Sequence, residues 1–264
     1  MNIIKWFGQL RTRYILKYHP ISSNLWKRVI RKAGLLHDLS AVEEAGLREL
    51  ATLLLYKKAI TGAHEFQVSD EMAVAIAAQA ALPILELGLD YYNGWVEIIV
   101  YPGAFQVNHE GIDQNGLISN ESRVLSGEAW LRGPIILSWD EIERDLESQH
   151  PGHNVVVHEF AHKLDMLNGR ANGMPPLHPS MEIKQWTQTL SMAFEILQDK
   201  VAHQFPIRIN AYAATTPAEY FAVISEYFFT APDILELHCA EVYRQLTKFY
   251  RQDPLMRQQR NRLV

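Results

Sequence analysis

The sequence predicts an α+β fold that is mostly helical and carries a small, mainly antiparallel sheet. Helical patterns outnumber strand patterns along the 264 residues, and the strand-like segments cluster between about 94 and 139. The composition, 48% hydrophobic and 21% charged, is typical of a globular chain. Because no repeat or low-complexity linker interrupts the pattern, we expect a single domain over 33–255, flanked by a basic arm over 1–32 and a tail over 256–264.

The basic arm stands apart from the rest of the chain by its charge. It holds eight lysines or arginines and no acid, which leaves 17 basic and 30 acidic residues elsewhere. Apolar residues recur in it at helical spacing: Ile3, Trp6, Phe7, Leu10 and Tyr14. Such a helix can lie on an anionic membrane or bind an acidic partner. It can equally pack on the acidic body of the same chain, and this packing is the alternative that we expect.

Capping signals place the first helices of the body. Residues 40–43, Ser-Ala-Val-Glu, are a capping box that begins a helix running to about Ile60. Ser69 or Asp70 begins the next helix, which runs to about Leu87. Its alanine-rich stretch contains Gln79, Pro83 and Glu86 and is typical of a buried helix rather than a membrane span.

Three segments have the β-branched and aromatic character of strands: 94–105, 122–126 and 134–139. Pro134 suits the first residue of a strand or a sheet edge. We therefore expect 134–139, PIILSW, to be the edge that pairs with an extended peptide. Asp140 is expected to cap a short helix over 141–147, and further helices are predicted over 154–167, 181–201, 217–230 and 234–250.

The helix over 154–167, whose start Asn154 can cap, contains the stretch VVVHEFAHKLD, in which His158 and His162 are four residues apart. Both imidazoles therefore lie on one helical face and can bind one cation. Glu159 is one position along and can reach a water on that cation. This H-E-x-x-H pattern is the signature of zinc metallopeptidases, in which zinc lowers the pKa of the water and the glutamate takes its proton. The alternative is a core helix with two hydrogen-bonded histidines.

A catalytic zinc needs a third protein ligand, and three acids compete for that place. Glu219 and Glu226 lie seven residues apart on one face of the helix over 217–230. Glu219 also completes a capping box with Thr216, so it can instead serve only the helix start. Asp165 is on the same face as the two histidines and suits a role behind a ligand. Spacing favours Glu219 over Glu226 and Asp165 without deciding among them.

Other polar residues near these helices have weaker signals. Tyr212 precedes the helix over 217–230, where a phenol could donate a hydrogen bond to the oxyanion formed in peptide hydrolysis. It can equally be a packed loop tyrosine. We expect His150, His153 and His178 to be loop or surface residues rather than metal ligands.

Several unrelated segments together resemble one known family, the Mlc titration factor A or DgsA anti-repressor family. These segments are LELGLDYYNGW, GPIILSW, VVHEFAHKLDMLNG, INAYAATTPAEYFAVISEYFF and FYRQDPL, and the resemblance covers about 40–255. It implies a cytosolic zinc metallopeptidase of aminopeptidase type whose core is similar to the anthrax lethal factor peptidase domain. It implies one Zn²⁺ bound by His158, His162 and Glu219, with Glu159 as general base and Tyr212 as the active-site tyrosine. It also implies binding of the repressor Mlc, which controls glucose phosphotransferase genes.

Two hypotheses therefore stand: a zinc peptidase, and a protein that sequesters a repressor with zinc in a structural or regulatory role. The intact Glu159 favours the peptidase. The expected partners are a peptide substrate and an Mlc-like repressor, with no direct nucleic acid contact and no transmembrane segment. The single cysteine, Cys239, fits a reducing compartment, and no secretory signal is visible, so we expect a cytoplasmic location.

Overall fold

The computed structural model describes residues 3–103, 105–112, 118–125, 127–129, 133–147 and 150–262. Within these residues the chain forms ten α-helices: α1 Ile3–Tyr18, α2 Ser23–Lys32, α3 Ala41–Lys57, α4 Asp70–Ala81, α5 Trp139–Glu147, α6 Val155–Asp165, α7 Ile183–Ala202, α8 Pro217–Thr230, α9 Pro232–Tyr250 and α10 Pro254–Arg262. The same residues form six strands: β1 Ala59–Gly62, β2 Glu97–Tyr101, β3 Phe105–Ile112, β4 Ile118–Leu125, β5 Gly127–Ala129 and β6 Ile135–Ser138. The predicted mostly helical α+β class is confirmed.

The main sheet has the strand order β1–β2–β6–β5. β1 pairs with β2 and β2 with β6 in parallel, and only β5 and β6 pair antiparallel. The expectation of a mainly antiparallel sheet is therefore wrong. The physical reason is that β1 and β2 are joined by a crossover through α4, and crossovers bring strands together in parallel. The antiparallel hairpin β3–β4 forms a separate two-stranded sheet.

Two strand predictions change in detail. The segment 134–139 does form a strand after Pro134, but β6 lies between β2 and β5 and so is not the edge of the sheet. The sequence does not predict β1. The helix that it predicts to run to about Ile60 ends at Lys57 instead, and Ala59–Gly62 form the strand. The predicted strand over 94–105 is confirmed as the shorter β2, and the one over 122–126 coincides with the end of β4, with residue 126 outside the described residues.

The predicted helix starts follow their capping residues. Ser40 and Glu43 form the capping box of α3, and the Ser69 side chain caps α4. α4 ends at Ala81 rather than near Leu87 and continues as a 3₁₀ turn over Leu82–Ile84, because Pro83 has no N–H to continue the α-helical ladder. Asp140 lies inside the first turn of α5 instead of capping it.

The basic N-terminal segment packs on the body of the chain through α2. Trp26 is buried and its indole N–H donates to Glu44 at 2.8 Å. Arg28 and Lys32 bind Glu71 of α4 at 3.2 Å and 2.7 Å. These contacts agree with the expected packing on an acidic body. No helix in the described part of the chain combines the length and apolar character needed to cross a membrane.

Helix α6 lies at the centre of the core, against α4, α8 and strands β5 and β6. Every residue of α6 except His158 is buried. Its Phe160 packs on Tyr92 and Trp95, with ring centroids 4.9 Å and 5.7 Å away. The Lys58 and Lys163 ammonium groups lie 4.0 Å and 5.5 Å from the Trp95 ring centroid. Burial lowers the pKa of each lysine to about 8. The helix that carries H-E-x-x-H is thus held rigidly on several sides.

Candidate metal centre

The N-cap residue and side chains from α5 and α8 hold the start of α6 in place. Asn154 caps the helix as predicted, with its Oδ1 accepting from Val157 N at 2.8 Å. The backbone N–H of Asn154 donates to Glu226 Oε2 at 2.6 Å, and that of Val155 donates to Asp145 Oδ2 at 2.8 Å. Two carboxylates therefore bind the backbone N–H groups at the positive end of the helix, which orients the histidines that follow.

His158, His162 and Glu219 bring three potential ligand atoms to one point. The two imidazole Nε2 atoms are 3.2 Å apart. Glu219 Oε2 lies 3.1 Å from Nε2 of His158 and 3.4 Å from Nε2 of His162. In a tetrahedral site with bonds of about 2.0–2.1 Å, neighbouring ligand atoms are about 3.3–3.4 Å apart. The observed spacings therefore fit one small metal ion held by two nitrogens and one oxygen.

The Glu219 carboxylate does not behave as a helix cap. The Thr216 hydroxyl caps α8 by accepting from Glu219 N at 3.1 Å, but the Glu219 side chain faces the two histidines. Its Oε2 is buried and accepts no hydrogen bond of good geometry from the described residues. An oxygen in this state fits a position that a cation would occupy.

His158 and Glu219 each shift the pKa of the other. Burial alone would lower the pKa of His158, but the carboxylates of Glu226 and Glu219 outweigh it and hold that pKa well above its ordinary value. Burial alone would raise the pKa of Glu219, but the two adjacent imidazoles hold it well below its ordinary range. Glu219 is therefore a carboxylate that can neutralise part of a cation's charge, and the extra proton of His158 must leave when its Nε2 binds a cation.

The two other acids considered as ligands take different places. Glu226 Oε1 lies 2.8 Å from Nδ1 of His158, behind the imidazole and on the side away from Nε2. Asp165 Oδ2 accepts backbone N–H groups at 172–173, both at 2.7 Å, and so holds the loop after α6. Nδ1 of His162 has no hydrogen-bond partner among the described residues. Only His158 is therefore oriented by a carboxylate in the way typical of metal-bound histidines.

Glu159 and Tyr212 both lie near His158, one of the three converging residues. Glu159 is 4% exposed, and its charge acts on both His158 and Lys163. Tyr212 lies in a 3₁₀ turn over Ala211–Ala214 and is half exposed, with its ring centroid 6.2 Å from that of His158. A buried carboxylate of α6 and an accessible phenol of the 3₁₀ turn thus both lie near His158.

The three histidines that the sequence analysis expected not to be metal ligands lie apart from His158, His162 and Glu219. His153 Nδ1 binds Asp145 at 2.6 Å, His178 Nε2 donates to Phe249 O at 2.7 Å, and His150 is exposed. His178 is a buried loop residue rather than a surface one. In the described part of the chain, the group around His158 is the single cluster of three or more His, Cys, Asp or Glu residues with metal-ligand spacing.

Two supporting residues had no role in the sequence prediction. Asp145 is buried and binds the start of α6, and Gln79 accepts from Asn154 Nδ2 at 2.7 Å. Each could have been found as a polar residue in an apolar position. Asp145 shares the buried face of α5 with Ile142 and Leu146, and Gln79 interrupts an alanine-rich buried helix. Buried polar groups in such places are usually hydrogen-bonded to something that needs orientation.

Comparison with known proteins agrees with this geometry. A family profile described as glucose-regulated metallo-peptidase M90 matches residues 7–251, and so includes most of the basic N-terminal segment. Three relatives carry the name Mlc titration factor A. The protein of Escherichia fergusonii is 39% identical over 226 residues, covering 84% of both chains. The protein of Klebsiella pneumoniae subsp. pneumoniae is 38% identical over 241 residues, covering 90% of this chain and 89% of its own. The protein of Salmonella paratyphi B is 40% identical over 226 residues, covering 84% of both. The family resemblance is confirmed, and the chain belongs to the glucose-regulated metallo-peptidase M90 family.

Proposed function

We propose that the chain is a zinc-dependent peptidase of the H-E-x-x-H plus glutamate type, with aminopeptidase specificity. The observation that carries the proposal is the convergence of Nε2 of His158, Nε2 of His162 and Oε2 of Glu219 beside the buried Glu159. Membership in a metallopeptidase family supports the reaction class. Two imidazoles and one carboxylate are a donor set that zinc accepts well. The aminopeptidase specificity rests on the family resemblance.

His158, His162 and Glu219 would hold the metal, and Glu226 would fix the orientation of His158. When bound, zinc would supply a Lewis acid that lowers the pKa of a water and polarises the scissile carbonyl. Glu159 takes a proton from the attacking water as its oxygen bonds to the carbonyl carbon, and later gives that proton to the leaving amine as the C–N bond breaks.

Tyr212 donates its phenolic proton in a hydrogen bond to the carbonyl oxygen as negative charge develops there. Its half-exposed position next to His158 suits a group that must reach an incoming substrate. The proposal includes a cytoplasmic location, which the single cysteine of the sequence supports.

The test is hydrolysis of a panel of short chromogenic peptides by wild type and by Glu159→Gln. The variant should keep its metal content and lose about 10²–10⁴-fold in rate, because it lacks the general base. Glu236→Gln, an exposed acid on α9, is the matched control and should keep full activity. If Glu159→Gln hydrolyses peptides at the wild-type rate, this mechanism is wrong.

We also propose that the chain binds a transcriptional repressor similar to Mlc. The name of its relatives, Mlc titration factor A, supports this second function. Binding of purified Mlc by wild type and by Glu159→Gln, measured by calorimetry, separates the two functions. Equal affinities would mean that the peptidase chemistry is not required for binding, whereas an absence of binding by both proteins would overturn the proposal.

A further inference from the structure

A cleft of about 630 Å³ lies between α7 and α9, away from the metal centre. Its other walls are the segment 206–209 and Tyr220 of α8. The side chains that line the cleft are largely apolar. Two of these side chains, Met192 and Ile196, are about half exposed. The backbone of Cys239 is not helical, so α9 kinks at the wall of the cleft. A cleft of this size can enclose a small organic molecule.

Cations outnumber acids among the charged side chains of the cleft. Lys200 and Arg208 are exposed and have no ion-pair partner among the described residues. The single acid of the lining, Glu241, is already paired with Arg244. An occupant must therefore supply acceptors, and a negative charge would be favoured.

Tyr220 adds an independent observation. It lines the cleft, is 2% exposed, and its hydroxyl has no hydrogen-bond partner in the described part of the chain. Burial raises the pKa of this phenol far above its ordinary value, so the group stays a neutral donor. A buried donor without an acceptor is costly unless something satisfies it.

The cleft and the metal centre use different faces of α8. Glu219 faces the two histidines, whereas the next residue, Tyr220, packs edge-on against Phe194 of α7 at 5.7 Å. The lining of the cleft therefore includes none of the three residues that converge at the candidate metal centre.

We propose that this cleft binds a small molecule with an apolar body and one carboxylate, which Lys200 and Arg208 receive. The apolar walls of α7 and α9 bury the body of the ligand. A single carboxylate matches the two exposed cations better than an uncharged or cationic head group does, and it supplies acceptor oxygens of the kind that the Tyr220 hydroxyl lacks. The same chemistry occurs in a medium-chain fatty acid and in the C-terminus of a short hydrophobic peptide.

The test uses the full chain and three probes in isothermal titration calorimetry: decanoate, decanol and N-acetyl-leucyl-leucine. The proposal expects saturable 1:1 binding of at least one of the two carboxylates, at least about tenfold tighter than decanol. The better of the two carboxylates identifies the fatty or the peptide source. If neither carboxylate binds saturably, or if neither binds at least about tenfold tighter than decanol, the proposal is overturned.

Cys239 locates the binding event, because it is the single cysteine of the chain and lines the cleft. Bound ligand should slow its modification by the neutral reagent N-ethylmaleimide at least threefold. Lys200→Ala and Arg208→Ala should each weaken carboxylate binding about tenfold without changing decanol binding. Lys184→Ala, also exposed on α7 but outside the lining, should have no effect. Binding that persists unchanged in both cleft variants, without protection of Cys239, would place the ligand elsewhere and refute the site.

Discussion

Replacing Glu226 by Gln isolates the link between the metal centre and the start of α6. One carboxylate accepts from Asn154 N at 2.6 Å through Oε2, and its Oε1 lies 2.8 Å from Nδ1 of His158. Glutamine has nearly the same shape but offers only one acceptor oxygen. One of the two donors must then face an NH₂ group, in a site where Glu226 is 4% exposed.

The cost can be worked from these contacts. A buried donor left without an acceptor costs about 1–3 kcal/mol, and losing a negative charge at the start of a helix adds about 0.3–1 kcal/mol. We therefore expect Glu226→Gln to lower the free energy of unfolding of the metal-free protein by about 1–4 kcal/mol. Because His158 loses its orienting carboxylate, metal affinity should fall by about 10–100-fold.

Two assays measure the two effects separately. Denaturant unfolding followed by circular dichroism gives the stability of the metal-free variant, and competition with a chelator gives the affinity for Zn²⁺. Glu236→Gln, with an exposed side chain, is the control for loss of one acid. If Glu226→Gln matches wild type in both assays, the carboxylate does not hold the site and the reasoning is refuted.

Three further predictions test separate parts of the structure. Tyr212→Phe should lower kcat about a hundredfold at unchanged metal content, measured by steady-state kinetics; an unchanged kcat would remove the phenol from the mechanism. The pKa of His153 is raised by its hydrogen bond to a buried carboxylate of α5, so its stabilising effect is full below the unfolded pKa and is lost as pH rises through the folded one. The stability difference between wild type and His153→Gln should therefore be larger at pH 6 than at pH 9, and a constant difference would contradict this assignment. Gly152 has φ +75°, and an added Cβ would lie 2.1 Å from the Tyr227 ring. Gly152→Ala should cost about 2–4 kcal/mol in denaturant unfolding, whereas Gly8→Ala, within helix α1 and with open space around it, should instead stabilise by about 0.5–1 kcal/mol.

Local features of the sequence predicted the local parts of the site. His158 and His162 share a face because of helical spacing alone, and Asn154 caps α6 because an Asn before an apolar helix commonly does. The choice between Glu219 and Glu226 was not available from spacing, because both lie on one face of α8. Which of them reaches Nε2 of His158 depends on how α8 packs on α6, and that is a long-range property.

The prediction of the sheet was wrong for a similar reason, because strand pairing is also a long-range property. β1 spans only Ala59–Gly62 and follows directly on a helix that ends at Lys57, so its composition carries little signal. Its identity as a strand comes from parallel pairing with β2, about 38 residues later in the chain. The role of Asp145 is hidden similarly, since its partner Val155 N belongs to the next helix.

The order of the elements along the chain has a consequence for biosynthesis. Both histidines and Glu159 lie on α6, whereas Glu219 and Glu226 follow on α8, and Glu219 is 57 positions after His162. At about 5–20 residues per second, a ribosome adds that stretch in about 3–11 s. During this interval the nascent chain carries the H-E-x-x-H motif but lacks the third converging side chain and the carboxylate that orients His158. The groups that the proposed peptidase chemistry requires are therefore complete only after α8 has been made and has packed on α6.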